Sequence, residues 1–327
     1  MNRCVVLGAT GFLGTNLVHA LCEADWEVRA FGLPGSDAEW IKPLGVEVVF
    51  GDVTNPEDVD AAVRGVDVAF HVAGDTSFWK RRFERQRRVN VDGPVNTAEA
   101  CLKHGVQRMV LTSTIDTLGY NPAGLADETW PDYNYANMGY NYGDTKREGE
   151  RRALEYNGRG VEVVVVYPGS MLGPYDFTLQ FGRLFMELRD GKVPACPKGG
   201  SSFGHVREVA KAHIAAAIQG RPGEGYICGG ANVTYREMFE TIARKFEKSA
   251  PRWDMPEPVF AAYGFVLELL SEVTRKPPQI NPGMARFMSK RAQYDSSKAV
   301  AELGYQIVPL ATMVDDAYQW YRNNGFF

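Results

Sequence analysis

The sequence is poor in cysteine, and the few thiols show no pairing pattern. Cys4, Cys22, Cys101, Cys196 and Cys228 are five in 327 residues, scattered, with no C-x-x-C among them. This excludes a disulfide-stapled scaffold and a thiolate metal centre, and it predicts small core thiols in a reducing compartment. No apolar run is long enough to cross a bilayer: the longest, Val259–Leu270, is interrupted by Glu268. The N-terminus has no secretory pattern, since a glycine turn breaks the first apolar run at once. Excess charge of one sign is also missing. Lys and Arg number 36 against 40 Asp and Glu, a net charge of −4, so no global positive field draws the chain to nucleic acid or anionic lipid. No internal repeat or low-complexity tract is present. These absences predict a cytoplasmic protein with small-molecule partners, no nucleic acid, no membrane span and no metal.

What is present is ordinary for a globular chain, 45% apolar and 23% charged. Short β-branched runs alternate with helical stretches through the first two-thirds. Strands are expected at 4–7, 27–31, 46–50, 66–72, 108–112 and 161–167, and helices at 13–24, 56–63, 83–104 and 142–157. The strands are continuous apolar runs, the mark of burial on both faces and hence of a parallel sheet covered by helices. The fold class is α/β, a Rossmann-type doubly wound parallel sheet. After Pro168 helical segments dominate, at 178–190, 206–219, 235–245, 258–273, 296–303 and 311–323. The expected organisation is an α/β domain over residues 1–170, rejoined by 204–230, and a smaller, mostly helical lobe from 171–203 and 231–327.

Gly8-Ala9-Thr10-Gly11-Phe12-Leu13-Gly14 follows the first strand and opens the first helix. Glycines at this spacing let backbone approach a dinucleotide pyrophosphate and pack helix on strand, while the helix start offers free N–H groups and partial positive charge. Tight structural turns also use glycine; the position at the head of a βαβ series gives this one its meaning. Gly51-Asp52-Val53 closes the third strand. Asp52 is expected to accept from an adenine amino group, since Thr54 or Asn55 before Pro56 can cap the next helix. His71-Val72-Ala73-Gly74 ends the next strand with small residues that leave room for a nucleotide. His71 itself reads as a packed core histidine.

Tyr142 and Lys146 stand four apart on an expected helix and share a face. A phenol with a pKa of about 10 is a poor base at neutral pH. An adjacent ammonium favours the phenolate, so one tyrosine can donate a proton in reduction and remove one in oxidation. Y-x-x-x-K is common by chance, and this region also holds Tyr133, Tyr135 and Tyr140; Tyr140 is excluded because Asp144 follows at the lysine position. Position strengthens the pair: it lies beyond Thr112-Ser113-Thr114, hydroxyls closing the fifth strand on the ligand edge.

With these residues in this order, the chain resembles the extended short-chain dehydrogenase/reductase family from residue 3 almost to the C-terminus. Asn90 within Val89–Gly93, Tyr167-Pro168 with Gly173-Pro174, His205–Ala210, Asp295–Ala299 and Glu302–Tyr305 add to the resemblance. It implies Tyr142 and Lys146 as the acid/base pair and Thr114, counted back from Gly119, as the catalytic hydroxyl, with Ser113 as the alternative. Asn90 would position the lysine through water. The implied cofactor bed comprises Gly8, Thr10, Gly11, Phe12, Leu13 and Gly14 in the first turn. Gly32, Asp52 and Val53, then Val72, Ala73 and Gly74, continue it. Thr112, Tyr142 and Lys146 follow, with Tyr167, Pro168, Gly169 and Ser170 at the end. Within the family the chain is similar to dihydroflavonol-reductase-like proteins and the hopanoid-associated epimerase-like group, through Phe70–Gly74 with Phe78-Trp79 and through Tyr226–Gly230.

Two departures bear on the substrate. Sugar-nucleotide epimerases of the family carry R-P-x-N before Gly-Pro, whereas Ser170 stands here in place of the diphosphate-holding Asn. Their Arg ahead of the His-Val segment is Ser201 here. The expected function is therefore an NAD(P)-dependent oxidoreductase, reducing a ketone or aldehyde, or oxidising the matching alcohol, on a fairly apolar substrate. The alternatives are an NDP-sugar epimerase or dehydratase, and a non-catalytic dinucleotide sensor, which the presence of both Tyr142 and Lys146 disfavours. The apolar lobe offers Phe177, Phe181, Phe185, Phe260, Tyr263 and Phe265 for a substrate wall, most of them expected as core. NADP is expected over NAD, because Gly32-Leu33 ends the second strand without the carboxylate that bonds ribose hydroxyls. Arg29, Lys42 or the run Lys80–Arg88 would have to meet the 2′-phosphate. That run holds six basic residues in nine, and a solvated helix face is the expected reading. A homodimer through 83–104 and 142–157 is a further implication of the resemblance.

Overall fold

The computed structural model describes residues 3–327. Strands β1 (Arg3–Leu7), β2 (Glu27–Gly32), β3 (Glu47–Phe50), β4 (Val68–His71), β5 (Arg108–Thr112) and β6 (Glu162–Pro168) are followed by β7 (Ser170–Leu172), β8 (Cys196–Pro197) and β9 (Gly200–His205). The last three are β10 (Gly225–Cys228), β11 (Ala231–Thr234) and β12 (Asp254–Met255). Seven form one parallel sheet in the order β10-β6-β5-β4-β1-β2-β3. The continuous apolar runs explain it: on β1, Cys4 and Val6 enter one core and Val5 and Leu7 the other. Both faces are covered, as the lack of alternation demanded.

Helices α1 (Phe12–Glu23), α2 (Pro56–Val63), α3 (Phe83–Arg87), α4 (Gly93–His104) and α5 (Asn141–Leu154) belong to this half of the chain. They are followed by α6 (Gly182–Arg189), α7 (Val206–Gln219) and α8 (Tyr235–Arg244). The chain ends through α9 (Glu257–Thr274), α10 (Pro282–Met288), α11 (Ser297–Leu303) and α12 (Leu310–Asn323). α1, α7 and α11 cover one face of the sheet. α2, α4 and α5 cover the other.

Three local expectations are corrected. The helix expected at 83–104 is broken by a wide π turn at Arg88–Asp92. The helix expected at 178–190 starts only at Gly182, because the buried Asp176 carboxylate accepts the N–H groups of Gln180, Phe181 and Gly182 and stops the helix there. The C-terminal part is helical but also carries a three-stranded sheet, β11-β9-β7. Its central strand β9 is serine- and glycine-rich and its neighbours are only three and four residues long, so β propensity gave little signal for them.

Candidate active site

The strand order reverses at β1. The chain steps to β2 and β3 on one side and to β4, β5 and β6 on the other, so the loops after β1 and β4 diverge at the carboxyl edge. A cleft of about 990 Å³ opens there. One end is walled by Gly8, Thr10–Gly14, Phe31, Leu33, Asp52 and Val53, the middle by Val72, Ala73 and Gly74, and the other end by Thr112–Asp116, Tyr142, Lys146, Pro168–Met171 and Phe181.

The first end fits a dinucleotide. Gly8 has φ +98°, and a Cβ there would lie 2.7 Å from the Ala73 nitrogen. A Cβ on Gly14 would lie 2.0 Å from the Gly8 carbonyl. Only glycine lets the turn, the helix and the β4 loop meet so closely. α1 begins at Phe12 with no side-chain cap and no acidic residue in its first turn, which leaves its N–H groups and dipole for an anion. The Asp52 Oδ1 accepts from the Thr54 backbone and hydroxyl, each at 2.9 Å. Asn55 caps α2, so Asp52 does not, and its Oδ2 accepts no hydrogen bond among the described residues.

Some expected residues stand behind the wall. Gly32 packs against Thr10, and Asn90 and Tyr167 are absent from the lining. Arg29 is turned away by Glu47 at 2.9 Å and by the carbonyls of Ala62 and Arg64. Lys42 is paired with Glu39 on the surface. The basic run divides. Lys80, Arg81 and Arg87 pair with Glu268, Glu272 and Glu148, while Arg82 and Arg85 line the cleft. Of the aromatic candidates, Phe181 lines the cleft, Phe185 is core and Tyr263 and Phe265 are exposed.

At the far end the three hydroxyls after β5 separate. Thr112 Oγ1 faces His213 Nε2 at 2.8 Å. Ser113 donates to Glu150 at 2.5 Å. Thr114 lines the cleft together with Tyr142, and its Oγ1 accepts from Asp116 N at 3.3 Å. Burial, and then the Asp116 carboxylate, push the Tyr142 phenol well above its usual pKa, with Thr114 opposing. The Lys146 ammonium donates to the Thr112 carbonyl at 2.6 Å. Burial lowers it to about 8, and Glu150 opposes the fall.

Two carboxylates here escaped the sequence reading. Glu150 accepts from Ser113, from Thr117 at 3.2 Å and from Tyr167 at 2.8 Å, and burial raises its pKa. It lies one helical turn beyond Lys146, a spacing that was visible in the sequence. Asp116 accepts from Tyr140 at 2.9 Å, lines the cleft beside Tyr142 and is raised by burial to about 6. No spacing signals it; the turn after β5 brings it to Tyr140.

α5 is held by the π turn. Asn90 fixes the loop after β4 by accepting from Asp75 N at 2.8 Å and donating to Asp75 O at 3.0 Å, and it also donates to Thr145. A Cβ on Gly149 would lie 1.9 Å from the Asn90 carbonyl. His71 is fully buried, with Nδ1 on Thr97 at 2.9 Å and Nε2 without a partner. Since Thr97 spends its proton on the Gly93 carbonyl, His71 carries its proton on Nδ1. Burial and then Lys146 lower its pKa to about 3, the state of a neutral core histidine.

A family model described as "NAD dependent epimerase/dehydratase family" matches residues 4–229. Sterol demethylase protein B of Methylococcus capsulatus is 30% identical over 328 residues, covering 98% of each chain. The 3beta-hydroxysteroid-dehydrogenase/decarboxylase isoform 1 of Arabidopsis thaliana is 29% identical, covering 94% of this chain and 76% of its own. The crystal structure of gox2253 superposes with a TM-score of 0.85 at 29% identity, covering 99% of each chain. This chain belongs to the NAD dependent epimerase/dehydratase family, of the extended short-chain dehydrogenase/reductase type.

Proposed function

We propose that the protein interconverts a secondary alcohol and its ketone on an apolar, alicyclic skeleton, with Tyr142 as the proton-transfer group. The observation that carries this reading is the Tyr142 phenol, recessed in the cleft beside Thr114 and held protonated by burial and Asp116. A phenol in that state is a proton donor to a carbonyl oxygen. A bound nicotinamide supplies or takes the hydride. Thr114 orients the substrate oxygen toward Tyr142. Lys146, fixed by the Thr112 carbonyl, would reach the nicotinamide ribose and keep positive charge near the phenol. Ile115, Met171 and Phe181 give the substrate end an apolar wall. The names of the relatives from Methylococcus capsulatus and Arabidopsis, with sterol and hydroxysteroid in them, favour a ring system.

NADP is the proposed cofactor, because β2 ends at Gly32, followed by Leu33, and places no carboxylate against a 2′-phosphate. Fluorescence titration with NADPH and NADH, followed by turnover with polycyclic ketones and with sugar nucleotides, tests the reading. Tighter NADPH binding with turnover of the ketones alone is expected. Turnover of the sugar nucleotides alone would refute it.

Asp52→Asn keeps the turn acceptor and removes the charge. It is expected to weaken dinucleotide binding by about tenfold, the scale of one charged hydrogen bond, with an unchanged unfolding midpoint. Unaltered affinity would return Asp52 to a turn role alone. Glu150→Gln keeps one acceptor oxygen, for Ser113 and Thr117, turns an N–H toward the Tyr167 hydroxyl and removes the charge that supports the Lys146 ammonium. The alkaline limb of the kcat/KM profile, set by Lys146 at about 8, is expected to move to lower pH. A limb that stays in place contradicts the coupling.

A further inference from the structure

α9 is apolar nearly all round, a composition that normally demands cover on every side. Its inner face places Phe260, Gly264, Glu268 and Ser271 against the protein. Its outer face leaves Val259, Tyr263, Val266, Leu269, Leu270 and Val273 bare, from 37% exposed at Tyr263 to 82% at Val273. These residues recur at three- and four-residue spacing, so they form one stripe along the helix. Contiguous apolar surface of this kind marks an interaction site, unlike scattered leucines.

The charge left over beside the stripe is basic and lies at its C-terminal end. Lys80 takes Glu268 at 3.1 Å and Arg81 takes Glu272 at 2.8 Å. Those are the carboxylates of the second half of α9, and both are neutralised. Arg275 and Lys276 continue past the helix end, both exposed. The arm carrying Lys80 and Arg81 goes on to Arg82 and Arg85, which line the cleft, so one segment joins α9 to the cleft. The net charge of −4 conceals this local excess.

We propose that α9 seats the protein on an anionic lipid bilayer surface, with the stripe in the acyl boundary and Arg275 and Lys276 toward headgroup phosphates. The helix lies in the plane of the surface: it has 18 residues, and no helix is long and apolar enough to cross a membrane among the described residues. Charge decides the occupant, because an apolar stripe ending in the exposed Arg275 and Lys276 complements an anionic interface.

The test is co-sedimentation of the full chain with phosphatidylglycerol/phosphatidylcholine vesicles and with phosphatidylcholine vesicles alone. Binding to the anionic vesicles that weakens with salt is expected. Leu269→Glu with Leu270→Glu should lower the partition coefficient by about tenfold or more, since it removes apolar area and adds like charge. Arg275→Glu with Lys276→Glu should lower binding to the anionic vesicles selectively. All four positions are exposed, and unchanged thermal transitions show that the variants fold. Protein left in the supernatant, or equal partition of wild type and the Leu269/Leu270 variant, overturns the proposal. A wild-type dimer that ignores vesicles and dissociates in that variant assigns the stripe to a second copy instead. Binding is read without turnover, so this result is independent of the proposed reaction.

Discussion

Tyr142→Phe is expected to lower turnover by about a thousandfold, within the range for loss of a positioned proton-transfer group, while cofactor affinity stays essentially unchanged. The substitution removes one oxygen from the bottom of the cleft and leaves the ring in place beside Tyr140. The glycine turn, Asp52 and Lys146 keep their positions, so the dinucleotide bed survives. Nothing nearby replaces the proton. Asp116 is engaged by Tyr140 at 2.9 Å, Ser113 by Glu150 at 2.5 Å, and Thr114 is too weak an acid. Rapid-mixing measurement of the hydride step at saturating cofactor reads the effect directly. Equal rates in the two proteins would remove Tyr142 from the chemistry.

Gly149→Val is the second large effect. The first Cβ would lie 1.9 Å from the Asn90 carbonyl and 3.2 Å from Val91 Cα, and valine adds two methyl groups. The obstacle is backbone in a turn whose Asn90 side chain is itself tied to Asp75 and Thr145. It cannot swing aside as a flexible side chain would. α5 must move outward and carry Tyr142 and Lys146 with it. The expected cost is about 3 kcal/mol, the upper part of the usual overpacking range. A shift of about 1 Å at the reacting groups adds a hundredfold loss of turnover even in the folded fraction. Chemical denaturation and turnover on the same preparation separate the two effects. A valine variant with unaltered midpoint and turnover would mean that the α5 contact is softer than its geometry.

Gly8–Gly14 and Tyr142–Lys146 were legible because each is a local spacing whose meaning depends only on the element that carries it. Burial of the sheet on both faces was legible for the same reason: Cys4–Leu7 and Val163–Val166 lack alternation. What could not be read was made by tertiary contact. Thr112, Ser113 and Thr114 are interchangeable as letters, and only the packing of α7 and α5 assigns them to His213, Glu150 and Tyr142. Asp116 owes its raised pKa to burial by segments distant in sequence. The π turn at Arg88–Asp92 leaves a helical pattern on either side and so read as one helix. Glu150 was open to view at Lys146 plus four. It stands among many charges on α5, and burial, not identity, makes it part of the site.

The central claim is that the cleft transfers hydride to an external carbonyl. The direct measurement is turnover of a polycyclic ketone with reduced nicotinamide cofactor deuterated at the transferable position, followed by mass analysis of the product alcohol. The account predicts deuterium on the new carbinol carbon and stoichiometric oxidised cofactor. Deuterium retained in the cofactor, with no reduced product and with turnover only of a sugar nucleotide, would contradict it and make the cofactor an internally recycled one.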